Sequence, residues 1–524
     1  MAEYPVLIGG AWRPAKAAKT FQAVNPATGE PLPGSYPVSG WEDCDAALSA
    51  AAGAAIELRR TPPEAIARFL TGFADRIEAG KTALVEQAHL ETALPKAPRL
   101  ADVELPRTTG QLRQAADAAL EGSWALPTID TKNQIRSWFE PIGPVVVFGP
   151  NNFPYAFSGV AGGDFAAAIA AGNPVIGKAH PLHPGTGRLL AEAAVAALSD
   201  AGLPPATVQM IYKIDHQSGQ RLVSDPRVGA SAFTGSRGAG MALKSAADAA
   251  GKPIYLEMSS INPVVILPGA LAERGSKVSA DFASSCLMGG GQFCTNAGFV
   301  MLFAGAGTDQ FIDEVKIAFD AAQPPPLLSD GVAKGLVESV KALRGAGADL
   351  LTKPGAASGA RHPNTLLRVT GQQFLAEPEK LQTEAFGSAS LCVVVRDADE
   401  AEAVLSHLEG NLTGCIYSDT QGSDEALYAR LAPALRRRVG RLLNDKMPTG
   451  VAVSPAMNHG GPFPATGHPG FTAVGIPASL RRFGMLCCYD NVRPHRLPPS
   501  LRNENPNGRM WRLIDGTMTQ GSCS

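Results

Sequence analysis

At 524 residues the chain is too long for one compact core, and its length suggests about three domains. With 45% hydrophobic residues, 18% charged residues and a formal net charge of −2, it reads as an ordinary soluble globular protein. This balance excludes an arginine-rich nucleic-acid surface and an acidic interaction arm. Met1–Pro14 lacks the pattern of a secretory signal, and apolar windows such as Pro144–Phe148 are far short of a membrane span, so a cytoplasmic protein without membrane or nucleic-acid partners is expected.

In chain order, the first ~125 residues alternate turns with alanine-rich helical patterns, among them Ala46–Leu58 and Pro63–Ala79. Two extended segments follow, Gln134–Glu140 and Gly143–Phe148. The intervening Pro141 gives them the look of a hairpin or strand pair. From Pro144 to about Leu256 strands alternate with helices: Val145–Phe148, helix Gly162–Ala171, Val175–Lys178, helix Thr186–Leu198, Val208–Ile211 and Ala230–Phe233. That alternation predicts βαβ units and a parallel sheet. Gly235–Gly240 opens a further helix that runs to about Ala250. A second α/β region begins near Ser259, contains Cys294 and extends to about Pro455, and an extended, proline-bearing tail runs from Val474.

Eight cysteines without a CxxC spacing read as free thiols of a reducing compartment. Nine histidines form no HxxxH or HExxH pattern, so no metal site is expected. Cys294 lies in the glycine-dense turn Gly289–Gly298, with Glu257 upstream at the end of an apolar strand. A thiol with a separate base is the minimum equipment for attack on a carbonyl, although most free cysteines are small buried hydrophobes.

Gly235-Ser236-Arg237-Gly238-Ala239-Gly240 follows a strand and opens a helix. It is either a phosphate cradle or a plain strand–helix turn, since its spacing is not GxGxxG. Lys178 ends a parallel strand, where it can bond a ribose or phosphate or simply be solvated. An amide from Asn151-Asn152-Phe153-Pro154, with the Cys294 N–H, can donate to a tetrahedral oxyanion; the alternative is an ordinary turn asparagine.

Taken together these segments resemble the aldehyde dehydrogenase superfamily. The likeness runs through Asn152-Phe153-Pro154, Lys178, Phe233-Thr234-Gly235-Ser236, Glu257-Met258-Ser259-Ser260, Gly291-Gln292-Phe293-Cys294 and Glu384-Ala385-Phe386-Gly387, in family order along essentially the whole chain. Three departures stand out: Met258-Ser259-Ser260 for Leu-Gly-Gly, Ala179-His180-Pro181 for Pro-x-Glu, and Ser388 for a proline. With Glu91–Pro95, Thr108–Arg113 and His459-Gly460-Gly461-Pro462-Phe463-Pro464, they are similar to a bacterial branch of ketoglutarate-semialdehyde (2,5-dioxovalerate) and long-chain fatty-aldehyde dehydrogenases.

The resemblance implies an α/β fold with a discontinuous Rossmann-like cofactor domain (1–127 and 147–257) and an α/β catalytic domain (258–479). It also implies small β oligomerisation segments (128–146 and 480–505) and a C-terminal tail (506–524). It implies that Cys294 attacks the aldehyde, Asn152 and the Cys294 amide hold the oxygen, and Glu257 activates water against the resulting thioester. Ser236 with Gly235 and Lys178 are expected to hold the pyrophosphate and adenosine ribose, and Glu384 with Phe386 the nicotinamide ribose. Pro181 stands where NAD-preferring relatives carry a glutamate, so NADP is expected to be preferred over NAD, with Arg237 and Lys213 as further cations.

The favoured substrate is 2,5-dioxovalerate, oxidised to 2-oxoglutarate, with a fatty aldehyde as the alternative. Phe153, Tyr155, Phe157, Phe293 and Phe463 are aromatic candidates for the substrate funnel and equally for the core, and no arginine for a substrate carboxylate is identifiable. A CoA-acylating enzyme, a cofactor-free thiol esterase and an inactive binding homologue fit less well. The first class typically lacks the base glutamate, the second has no use for Lys178, Ser236 and Glu384, and the third is expected to have lost Cys294 or Glu257. Exposed strand edges near 134–148 and 480–500 predict a homodimer or homotetramer.

Overall fold

A computed structural model describes residues 3–523. The strand–helix alternation of the first half forms a parallel sheet of Val145–Phe148, Val175–Lys178, Val208–Ile211, Ala230–Thr234 and Ile254–Glu257. Val6–Ile8 and Ala11–Arg13 extend one edge antiparallel. A sheet covered on both faces needs continuous apolar runs, and Val145–Phe148 is buried at every residue. The alanine-rich helix Gly163–Ala170 is likewise buried throughout, its small side chains letting it lie close to its neighbours.

The parallel part of this sheet starts near its centre with Val145–Phe148 and moves outward through Val175–Lys178 to Val208–Ile211. It then returns to the other side for Ala230–Thr234 and Ile254–Glu257. Where strand order reverses, the loops leaving adjacent carboxyl ends diverge and open a crevice. The expected residues Asn152, Lys178, Ser236 and Glu257 all lie at or just beyond those carboxyl ends.

The second half builds another seven-stranded sheet, in the order Asp349–Leu350, Thr365–Thr370, Ala389–Val395, Phe299–Phe303, Val264–Ile266, Asn411–Tyr417, Val439–Asn444. It is parallel except for the first strand. Side chains alternate between two cores: Val265 faces one, and Val264 and Ile266 face the other.

A separate five-stranded sheet corrects two sequence expectations. Ile135–Pro141 does not pair with Val145–Phe148 as a hairpin. It runs antiparallel to Thr128–Asp130 and to Gly484–Asp490, while Val145–Phe148 enters the parallel sheet. The region after Val474 is not simply extended. It carries the short helix Ala478–Arg481, and the antiparallel strands Arg512–Ile514 and Thr517–Thr519 widen the same five-stranded sheet. Among the described residues no helix is long and apolar enough to cross a membrane, and all eight cysteines are free thiols.

Candidate active site

Cys294 is presented by a backbone that only glycine can make. Gly289, Gly290 and Gly291 all have positive φ, and a Cβ on Gly291 would lie 2.0 Å from the Gly387 carbonyl oxygen. The Cys294 loop and the Glu384–Gly387 loop therefore meet through bare backbone. Asn262, itself left-handed at φ 48°, donates from Nδ2 to the carbonyls of Cys294 (2.9 Å) and Asn296 (2.8 Å). Asn411 Oδ1 accepts the amides of Ile261 (2.9 Å) and Asn262 (3.1 Å), fixing that clamp.

Asn152 is buried, and its Nδ2 donates to the Gln292 carbonyl at 3.0 Å, which places the side-chain amide against the Cys294 loop. Its own turn is held by a buried carboxylate: Glu104 Oε1 accepts the Tyr155 and Ala156 amides at 2.8 and 3.0 Å. Glu104 Oε2 pairs with Arg99 at 2.5 Å, and Arg99 donates onward to the Asn152 carbonyl at 2.9 Å. Within the Thr108–Arg113 segment, Gln111 adds a bond from Nε2 to the Ala156 carbonyl at 3.1 Å.

Three reactive groups converge beside this loop. Cys294 Sγ lies 3.5 Å from His459 Nε2, which lies 3.0 Å from Glu257 Oε1. Glu257 and His459 are 1% and 2% exposed, so both are shielded from bulk water. The 3.0 Å contact lacks the angle of a hydrogen bond, and neither Glu257 oxygen has a hydrogen-bond partner. Burial first, then the Glu257 carboxylate, pushes the Cys294 thiol well above its ordinary value, with Arg107 opposing. A thiol held protonated requires a base within reach, and two stand next to it.

The ligand-type atoms of Glu257, Cys294 and His459 lie within 4.8 Å of one another. That spacing serves a proton relay and would also suit a thiophilic cation. The histidine spacing patterns could not bear on this trio, whose members come from three distant segments.

The cofactor-binding expectations fall along the crevice. Ser236 caps helix Arg237–Ala249, and its exposed hydroxyl makes no cap bond. The Gly235 amide donates to the Glu257 carbonyl at 3.1 Å, tying the Gly235–Ser236 turn to the strand that carries Glu257. Lys178 has no carboxylate partner among the described residues; burial, then Lys213, holds its ammonium down to about 8. The His180 and His183 rings stack at 5.3 Å, and both are held down chiefly by burial, His183 to about 4.

Pro181 stands in the turn between those rings, ahead of helix Pro184–Ala201. The first amides of that helix, Gly185 and Thr186, donate to buried Glu91 at 2.7 and 2.9 Å. Glu384 lines a cavity of about 270 Å³, and burial pushes its carboxyl up to about 7 against the Ser259 hydroxyl and Ser260 backbone. The two serines that stand at the family's glycine positions thus lie beside this carboxylate and favour its charged form. Phe386 lines a small cleft with Glu384, Phe293 and Gly291.

Arg237 is engaged by Glu409 at 2.9 and 3.4 Å and lines the Glu384 cavity, whereas Lys178 and Lys213 mark the other end of the crevice. An uncompensated lysine, a helix start with an idle hydroxyl and a cavity carboxylate complement the phosphates and riboses of a dinucleotide.

The aromatic candidates divide between core, surface and site. Tyr155 is fully buried in the core and donates to the Leu84 carbonyl at 2.7 Å, while Phe463 is 56% exposed beside Arg237. Phe153, Phe157 and Phe293 do cluster, with Phe153 edge-on to the other two rings at 5.2 and 5.8 Å. Sequence reasoning missed the placement of His459 and of Arg107. The only available signal for the first was the histidine that opens the His459–Pro464 segment; Arg107 had none.

An aldehyde dehydrogenase family model matches residues 12–460. The alpha-ketoglutaric semialdehyde dehydrogenase 2 of Azospirillum brasilense is 42% identical, covering 97% of this chain and 98% of its own. The alpha-ketoglutaric semialdehyde dehydrogenase of Acinetobacter baylyi is 36% identical, covering 97% of each chain. Among solved structures, a putative aldehyde dehydrogenase from Burkholderia cenocepacia superposes with a TM-score of 0.79 at 22% identity, covering 94% of this chain and 99% of the other. Fold, site geometry and sequence agree: the chain belongs to the aldehyde dehydrogenase family.

Proposed function

We propose that this protein oxidises 2,5-dioxovalerate to 2-oxoglutarate, using NADP in preference to NAD. The substrate assignment is carried by the two full-length relatives named as alpha-ketoglutaric semialdehyde dehydrogenases. The chemistry is supported by Cys294, His459 and Glu257 standing in contact in a buried site.

In this reading the Cys294 thiol passes its proton to the adjacent His459–Glu257 pair as sulfur attacks the aldehyde carbon. Asn152 and the Cys294 amide stabilise the resulting oxyanion, each such donor being worth about 3 kcal/mol. A nicotinamide, if bound with its ribose at Glu384, would supply the hydride acceptor. The product on Cys294 is a thioester, and Glu257 takes a proton from water to hydrolyse it. Water then supplies the second carboxylate oxygen, and the thiol is regenerated.

Ser236 and the start of its helix would hold the pyrophosphate, and Glu384 the nicotinamide ribose hydroxyls. Lys178, with Pro181 in place of a repelling carboxylate, would hold a 2′-phosphate. The reading includes a homodimer or homotetramer: strand Gly484–Asp490 ends its sheet and exposes Leu486 (64%) and Met485 (46%). It also includes a cytoplasmic location, supported by eight free thiols.

The test is absorbance at 340 nm with 2,5-dioxovalerate, succinic semialdehyde and decanal, each with NADP and with NAD. The expected result is the highest kcat/KM for 2,5-dioxovalerate with NADP and no turnover by Cys294→Ala. Decanal as the best substrate would overturn the substrate, and equal use of both cofactors would overturn the NADP preference.

A further inference from the structure

Arg107 is the third residue of helix Leu105–Glu121, and its guanidinium lies beside the aromatic cluster at the active site. Its carbon sits 5.1 Å from the Phe157 ring centre and 5.8 Å from that of Phe153. Nε donates to Gln111 Oε1 at 3.3 Å, which fixes the plane of the fork. Nη2 is sealed from solvent and meets no acceptor at all.

The nearby acidic and cationic groups account for one another but not for Arg107. Glu104 gives one oxygen to Arg99 and the other to the Tyr155 and Ala156 amides. Glu257 faces His459 and the thiol. Among the described residues no carboxylate pairs with Arg107. A second guanidinium, Arg441, directs both terminal nitrogens to the carbonyls of Pro448 and Gly450, adding positive charge without adding an acceptor. Cys294 lies within electrostatic reach of both arginines, and Arg107 disfavours the charge on Arg441.

Burying a guanidinium without a counter-ion is costly, and stacking on aromatic rings recovers only part of that cost. A planar fork with one unmet donor is the geometry that carboxylates complement.

We propose that Arg107, with the field of Arg441 behind it, binds the carboxylate at the far end of a short aldehyde acid whose carbonyl carbon lies at Cys294. Phe153 and Phe157 then flank the intervening carbons. The assignment rests on reading the site as one that oxidises an oxo-acid aldehyde, and it makes Arg107 the residue that discriminates such substrates from uncharged aldehydes.

The test compares the full-length enzyme with Arg107→Met and Arg107→Lys at saturating NADP. The substrates are 2,5-dioxovalerate, 5-oxopentanoate and pentanal, the last two matching in length but differing in the carboxylate. Because Arg107 also acts on the Cys294 thiol, rates for all three are expected to change in Arg107→Met, so the reading is the ratio of kcat/KM for acid to uncharged aldehyde. That ratio is expected to fall about 100-fold in Arg107→Met, mainly through KM for the acids, and to recover about tenfold in Arg107→Lys.

Turnover of pentanal by each variant reports that it folds. An equal loss on all substrates, or an unchanged ratio, overturns the assignment while leaving the oxo-acid reading intact. A wild-type enzyme that oxidises pentanal as well as the acids overturns the oxo-acid reading itself.

Discussion

Replacing Lys178 with alanine and following cofactor use against pH isolates the group on which the proposed NADP preference rests. Its ammonium is buried beside Lys213, faces no carboxylate among the described residues, and is drawn from 10.5 to about 8. At pH 7 about nine-tenths of it is charged, and at pH 9 about one-tenth. A 2′-phosphate favours the charged lysine, so by linkage its binding weakens as that proton is lost. The drop from 10.5 to about 8 corresponds to about 3 kcal/mol at most; solvent screening in an open crevice leaves about 1–2 kcal/mol for the phosphate to recover.

KM for NADP is therefore expected to rise about tenfold between pH 7 and pH 9, while KM for NAD stays nearly level. Lys178→Ala should raise KM for NADP about 10- to 30-fold at pH 7 and flatten its pH dependence. Initial rates at 340 nm with saturating aldehyde measure both. Parallel pH curves for the two cofactors, or an equal rise of both KM values in the variant, would refute the reasoning. The stability sign is independent of the cofactor. The folded value lies below the unfolded one, so the unfolded chain binds more protons between pH 8 and 10.5 and stability rises with pH across that window. Lys178→Met is thus expected to melt above wild type at pH 7.

His459→Gln removes the nitrogen that lies 3.5 Å from Cys294 and 3.0 Å from Glu257. It should lower the single-turnover rate about 10²- to 10⁴-fold with little change in aldehyde KM, and an unchanged rate would remove His459 from the proton relay. Asn262→Ala leaves two carbonyls of the Cys294 loop without their donor and puts alanine at positive φ. A loss of about 3 kcal/mol is expected from urea unfolding, and an unshifted midpoint sinks the clamp. Gly291→Ala sets a Cβ against the Gly387 carbonyl, and the contacting atoms are backbone on the far side. A fall in kcat of more than about tenfold with a lowered Tm is expected; wild-type activity would mean the two loops are not in this contact.

The parallel core was legible because each of its strands is a short apolar run followed by a turn and a helix. Val145–Phe148, Val175–Lys178 and Val208–Ile211 need no distant information to be found. Within the five-stranded sheet the resemblance had set 128–146 and 480–505 apart as β segments, but their pairing was not legible. Ile135–Pro141 takes its partner from Gly484–Asp490, far along the chain, and the link through Ile142 and Gly143 carries no mark that the next strand enters another sheet. Asn152 was legible as a turn residue after an apolar strand, Glu257 as the last residue of one, Cys294 by its glycine-dense turn, and all three as members of family motifs. Arg107 was invisible because an arginine in the first turn of a mixed-polarity helix looks like any surface cation. Only the assembled fold shows that its neighbours' carboxylates are already taken. Tyr155 misled for the opposite reason: it sits two residues from Phe153 and Phe157, yet it turns into the core to reach Leu84.

In the proposed mechanism Glu257 acts twice, first near a thiol and later on a water, and the fold leaves its carboxylate without a fixed hydrogen bond. Its backbone is pinned: the strand pairs with Ala230–Thr234, its carbonyl accepts the Gly235 amide, and it bridges to Thr466. Its carboxylate is not, for neither oxygen is engaged by a hydrogen bond. A carboxylate gripped by two donors would be a weaker base and could not turn between partners. The Gly235 bond also joins the base to the turn that carries Ser236, so a cofactor phosphate seated there bears on the backbone from which Glu257 swings. Cys294 is held with equal firmness from the other half of the molecule, through Asn262 and the Gly291–Gly387 contact. Two pinned backbones thus meet at the buried contact of Cys294, His459 and Glu257, which in the proposed mechanism would hold the thioester while Glu257 turns from the thiol to a water.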